Sequence, residues 1–286
     1  MHDRTYFVRS CASSTERERV HARDVTTKRS RREILASIAS TLASCTTSAP
    51  RRASVTSEGN LNDVRIRRLN ALPTTDIGWL QLRDHFVATV GAHSGEGQAY
   101  GPLIVLADAT FQPHSAFPLH PHREIEILSI VLEGDLSHRG DLANGTTLPP
   151  RSAQLTSSRR GMVHAEANEG DAPCRMLQIW LQPTTHGGEA VHFQRAFPTR
   201  GQHIIAGDEV MPLRCDARVE WLDLDANASH TFRVAAGRNA YVMSLDGWLA
   251  SDVGMLQAGE GLELRAGEVT VTPQGSSAVL LFDFAA

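Results

Sequence analysis

Residues 120–132 read His120-Pro121-His122-Arg123-Glu124-Ile125-Glu126-Ile127-Leu128-Ser129-Ile130-Val131-Leu132. From Ile125 to Leu132 the stretch is mostly β-branched and apolar, and Glu133-Gly134 closes it with a turn signal. That length and composition suit a buried strand, whereas a helix would carry its apolar period over ten or more residues. The same rhythm recurs along the chain. Pro102 to Ala107, Cys174 to Leu181, Arg218 to Leu224, Ala240 to Leu245, Val269 to Thr272 and Ala278 to Phe284 are short apolar runs. Glycine, proline, asparagine and aspartate separate them, so the body from about Leu61 onward reads as an all-β sandwich or barrel.

The chain has 286 residues, long enough beyond residue 60 for two small barrels. The most loop-like internal stretch runs from Pro183 to Gly201 and holds Gly187-Gly188 and Pro198. It divides the body into 61–185 and 186–286.

Two groups stand out among thirteen histidines. His120 and His122 are two apart at the mouth of a strand, and residues i and i+2 of a strand share a face. His164-Ala165-Glu166 repeats that spacing. If the two strands adjoin inside a barrel, three imidazoles and a carboxylate converge. Such a nitrogen and oxygen donor set suits one divalent transition metal ion, iron foremost, with copper, nickel, cobalt or manganese as alternatives, and it leaves positions open for substrate and dioxygen. The remaining histidines, among them His85, His138, His192 and His230, appear singly and need no function. Cys11, Cys45, Cys174 and Cys215 show no CxxC spacing, which argues against a thiolate metal site or a dithiol redox motif. A Cys174–Cys215 disulfide is possible, but two buried thiols acting as small hydrophobes are the favoured reading.

Charge is segregated. Residues 1–60 carry 11 basic and 6 acidic groups, and residues 61–286 carry 17 basic and 26 acidic. An acidic body argues against a nucleic-acid partner, which needs clustered basic groups. No run of 18 apolar residues offers a membrane-spanning helix. Within 1–60, Ser30-Arg31-Arg32-Glu33-Ile34-Leu35 resembles a twin-arginine export motif, and Leu42-Ala43-Ser44-Cys45 resembles a lipoprotein cleavage box. The leader is expected to be disordered and to end in a Ser/Thr/Arg-rich tether. Cys45 would then be lipidated and anchor the protein to a membrane of the cell envelope or periplasm; without a working leader the expectation is cytoplasmic.

His120-Pro121-His122-Arg123, Val131-Leu132-Glu133-Gly134, His138-Arg139 and Gly161-Met162-Val163-His164-Ala165-Glu166 together resemble the pirin branch of the cupin superfamily, and Gln178-Ile179-Trp180-Leu181 resembles the strand that closes that family's first barrel. The resemblance implies a bicupin of two stacked antiparallel β-barrels of jelly-roll type, with a metal only in the first. On the matching positions the ligands would be His120, His122, His164 and Glu166. Glu126 stands where many other cupins place their metal carboxylate. Glu166 is preferred because it shares a strand and a face with His164. Even spacing from His120 and His122 directs Glu126 to the same interior, where it would orient an imidazole.

Members of this branch include enzymes resembling quercetin 2,3-dioxygenase, as well as redox-sensing regulatory partners. The resemblance therefore implies a metal-dependent dioxygenase that opens a flavonol or related phenolic ring with O2, with Glu166 as the catalytic proton acceptor. The alternative is a non-catalytic, metal-bearing binding protein. The chain departs from the family pattern at Glu124-Ile125, Ser158-Arg159 and Ala165. These changes bear on pocket shape rather than on the ligands, and Arg159 and Arg160 near the mouth either favour an anionic or phenolate substrate or are solvated surface arginines.

Overall fold

The structure is a computed structural model that describes residues 64–87 and 99–286. The expected export leader and tether, with Cys45, lie outside the described residues. The first strands are β1 (Val64–Arg67), β2 (Thr74–Asp76), β3 (Leu80–Val87), β4 (Leu103–Phe111), β5 (Ser115–Ala116), β6 (His120–His122), β7 (Glu126–Glu133), β8 (Leu136–Gly140), β9 (Thr146–Leu148), β10 (Ser152–Ser157), β11 (Met162–Asn168), β12 (Cys174–Leu181) and β13 (Val191–Ala196). There follow β14 (Gln202–Ala206), β15 (Ala217–Leu224), β16 (His230–Ser244), β17 (Trp248–Ser251), β18 (Leu256–Gln257), β19 (Gly261–Pro273) and β20 (Ser277–Ala285). One 3-10 turn at Leu69–Ala71 interrupts them, and the described residues contain no α-helix.

The strands form three antiparallel sheets. A seven-stranded sheet runs β13-β10-β7-β12-β4-β3-β2, and a smaller one runs β5-β11-β8-β9 with β6 added to β11. These two make the first barrel. The third sheet, β14-β15-β20-β16-β19-β17-β18 with β1 on β19, makes the second.

Side-chain alternation explains how the barrels stack. On β7, Leu128 and Ile130 point outward, and on β12 so do Leu177 and Ile179. They join Val219, Trp221, Tyr241, Leu280, Phe282 and Phe284 of the second sheet in one buried core. Each such side chain contributes roughly 1.5–3 kcal/mol when fully buried, so the contact between barrels is itself a hydrophobic core. Ile127, Ser129 and Val131 point the other way, into the first barrel.

Two segments cross the boundary placed at residue 185. β13 pairs with β10 in full register, from Ser152↔Ala196 to Ser157↔Val191, and so belongs to the first sheet. β1 pairs with β19 of the second sheet. The glycine-rich stretch at Gly187-Gly188 is a loop within the first barrel's perimeter, and the chain passes to the second sheet between Ala196 and Gln202. Cys174 and Cys215 are buried and free, so no disulfide joins them.

Candidate metal centre

β6 is short and pairs only with β11, in the register His122↔Met162, Pro121↔Val163 and His120↔His164. A proline lacks the N–H that a central strand needs, and at Pro121 on this sheet edge the loss is tolerated. The exposed proline turns its two flanking histidines to the other face. Directly across from His120 stands His164, and the three imidazoles meet. One ligand nitrogen from each of His120, His122 and His164 lies within 4.8 Å of the others. The ring centroids are separated by 4.8, 4.7 and 5.0 Å. Among the described residues no other group of three histidine, cysteine or acidic donors converges in this way.

The neighbouring strand holds His164 from behind. Gly140 ends β8 at φ 137°, and a Cβ there would lie 2.6 Å from His164 Cα and 2.3 Å from the Val163 carbonyl oxygen. Only glycine permits that approach.

The chemistry of the three rings fits a metal ion. His120 Nδ1 lies 2.9 Å from the Pro118 carbonyl, which can only accept, so Nδ1 carries the proton and Nε2 keeps its lone pair. Both ring nitrogens of His122 and Nδ1 of His164 are buried without a hydrogen-bond partner, and an ion coordinated to one nitrogen of each ring would take up part of that unmet capacity. Burial lowers all three imidazole pKa values, to about 3 for His122 and about 2 for His164, with the neighbouring histidines adding to the shift in both. The rings are therefore neutral, the form a metal requires.

Glu166 is on the same face of β11 as His164 and only 2% exposed. Its Oε1 accepts from Ser129 Oγ and, at 2.9 Å, from Gln154 Nε2. Burial raises its pKa against the pull of those two donors. It is not one of the three converged donors.

Glu126 differs from its expected position. Glu124, at φ 53°, breaks the extended chain between β6 and β7, so the even spacing from His122 does not carry the face across. Glu126 shares the outward face of β7 with Leu128. Its Oε1 accepts from Ser157 Oγ at 2.6 Å and Arg214 Nε at 2.7 Å, and no histidine is among its partners.

Arg159 and Arg160 clasp the 187–189 loop rather than standing free. Arg159 packs against Gly188, and Arg160 donates to the Gly188 carbonyl and pairs with Glu189.

Several lining residues carried no spacing signal in the sequence. Ser129 sits inside an apolar run, and Gln154 is one of several polar residues in the mixed stretch Ser152–Ser157. His138 is fully buried, with its ring 5.2 Å from that of His164 and 5.0 Å from that of His192. Trp180 meets His122 edge-on at 5.0 Å. The second barrel offers a contrast, its interior being lined by Leu222, Phe232, Val242, Leu262, Val271 and other apolar side chains.

Comparison with known proteins agrees with this architecture. The pirin family profile matches residues 65–181, and the profile of the quercetinase C-terminal cupin domain matches residues 205–284. A candidate quercetin 2,3-dioxygenase of Pseudomonas aeruginosa is 31% identical over 229 residues, spanning 77% of this chain and 98% of the relative. A pirin-like protein of Caulobacter vibrioides is 27% identical, over 73% of this chain and 94% of its own. Among solved structures, a bacterial pirin from Escherichia coli in complex with nickel(II) superposes with a TM-score of 0.72 at 23% identity, covering 78% of this chain and 99% of that one. The chain belongs to the pirin family.

Proposed function

We propose that the protein is a metal-dependent dioxygenase of the quercetinase type, opening a flavonol or related enolic or phenolic ring with O2. The observation that carries this reading is the trio of neutral imidazoles His120, His122 and His164, converged within 4.8 Å and left with unpartnered nitrogens. Relatives named as quercetin 2,3-dioxygenases support it, one of them from Escherichia coli at 24% identity over 98% of its length. Support for a metal also comes from the nickel(II) complex of the bacterial pirin, while iron is the ion proposed for this chain.

A bound ion supplies Lewis acidity and orientation to a deprotonated hydroxyl oxygen of the substrate. The chain's own groups do the rest. His120, His122 and His164 hold the ion, and Glu166 is proposed as the fourth donor and as acceptor of the hydroxyl proton. A buried carboxyl with a raised pKa is suited to that transfer. Ser129 and Gln154 hold the carboxylate in place. Trp180, edge-on to His122 and packed with Ile127, would exclude water from the reacting ring.

The test is anaerobic loading with iron(II), nickel(II) or copper(II), followed by oxygen uptake on addition of quercetin. Metal-dependent uptake with ring-opened product is expected. A metal-loaded chain that consumes no oxygen with any flavonol overturns the reading.

A further inference from the structure

Gln178 and Trp180 lie two apart on β12, on the face that also carries Cys174 and Met176 into the first barrel. Leu177, Ile179 and Leu181 take the opposite face, toward the second barrel. Both inward side chains end in N–H donors, and neither donor is used. Trp180 Nε1 and Gln178 Nε2 are buried and have no hydrogen-bond partner. Trp180 is only 8% exposed and packs edge-on against His122, with Val105, Ala107, Ile125 and Ile127 forming an apolar wall around it. Gln178 pairs across the sheet with Ser129, whose hydroxyl is committed to Glu166.

A buried donor without an acceptor costs about 1–3 kcal/mol. Two of them on one strand face, one on a side chain packed edge-on against the ligand His122, mark a place that an acceptor from outside the chain completes. We propose that Trp180 Nε1–H and the Gln178 amide form a donor pair that reads a second, carbonyl oxygen on the substrate, adjacent to the hydroxyl oxygen that goes to the metal. The site is thereby specific for planar rings bearing a vicinal hydroxyl and ketone, against rings that carry a hydroxyl alone. The apolar wall accepts the ring, and the donors fix which edge of it faces β12. This inference rests on the reading of the first barrel as a metal site for an oxygen-bearing ring, and it adds the residues that select the ligand.

Binding to the nickel(II)-loaded protein under anaerobic conditions tests it, because turnover does not enter the readout. The probes are 3-hydroxy-2-methyl-4-pyranone, which carries the vicinal pair, and phenol, which lacks the ketone. Trp180→Phe keeps the ring and removes the N–H; Gln178→Met keeps the length and removes the amide. Each variant is expected to bind the pyranone about tenfold more weakly, the loss of one hydrogen bond, with phenol binding and nickel content unchanged. In the infrared, the carbonyl stretch of the bound pyranone is expected at lower frequency in the wild type than in Trp180→Phe. Equal losses for pyranone and phenol, no loss for either, or a carbonyl band unmoved by the substitution would each overturn the proposal. So would a wild-type protein that takes up nickel but not the pyranone. A chain that binds the pyranone as expected and never oxidises a flavonol would refute the dioxygenase reading alone.

Discussion

Arg214 donates from Nε to Oε1 of Glu126 at 2.7 Å, across the junction of the two barrels. Arg214 Nη1 also reaches Glu124 and the Thr185 carbonyl. The connection between β14 and β15 is thus tied to Glu124 and Glu126, two and four residues beyond the ligand His122. Glu126 is fully buried and Arg214 is 12% exposed, so removing the arginine strands a carboxylate. Arg214→Met is expected to destabilise the metal-free protein by roughly 3–5 kcal/mol. Glu126→Gln combined with Arg214→Met should cost less than the sum of the single changes, because the pair is coupled. Urea unfolding of the four proteins measures this, and strict additivity would show that the pair does not act as a unit.

His85 makes stability depend on pH. It is 1% exposed, its Nδ1 lies 2.6 Å from Tyr241 Oη, and burial lowers its pKa from 6.5 to about 3. The unfolded chain therefore binds a proton that the folded chain refuses between about pH 6.5 and 3. The neutral ring's contribution is complete above 6.5 and is lost progressively as pH falls through that window. At pH 5 the loss is about 2 kcal/mol. His85→Asn removes this term while leaving the other histidines in place, so the drop in unfolding free energy from pH 7.5 to 5 should shrink by about that amount. An unchanged pH slope would contradict it.

Much of this fold is legible in the sequence because each strand declares itself by local chemistry. The run Cys174 to Leu181 is β12 to the residue, and the His120/His122 and His164/Glu166 pairs fall on β6 and β11 as their spacing implies. What the sequence withholds depends on contacts distant in the chain or on a single backbone torsion. The left-handed Glu124 reverses the face of Glu126. Ser129 and Gln154 become partners of Glu166 only when β7, β10 and β11 close the barrel. His138, a lone histidine in sequence, joins the site because β8 pairs with β11.

Glu166→Gln preserves shape and hydrogen-bonding capacity while removing the carboxylate. Under the proposed role, metal affinity falls by roughly 10–100-fold. Oxygen uptake with quercetin at saturating metal falls by roughly 10²–10⁴-fold. Metal titration and oxygen-electrode assays separate the two effects. A variant with full activity would remove Glu166 from the mechanism.

Cys174 and Cys215 have thiols pushed up to about 12 by burial. Alkylation at pH 8 followed by peptide mass analysis should leave both unmodified in the folded protein and label both in urea, since the thiolate is the reactive form. Rapid labelling of either in the native state would contradict their burial.

The central claim is that His120, His122 and His164 hold a metal ion. Elemental analysis after metal loading and gel filtration tests it most directly. The wild type is expected to retain about one equivalent of transition metal per chain, and His122→Ala and His164→Ala should retain little, a loss well beyond the roughly 10–100-fold that follows removal of a supporting group. His230→Ala, in the second barrel, should retain as much as the wild type. Undiminished metal in the His122 and His164 variants, or none in the wild type, would contradict the account.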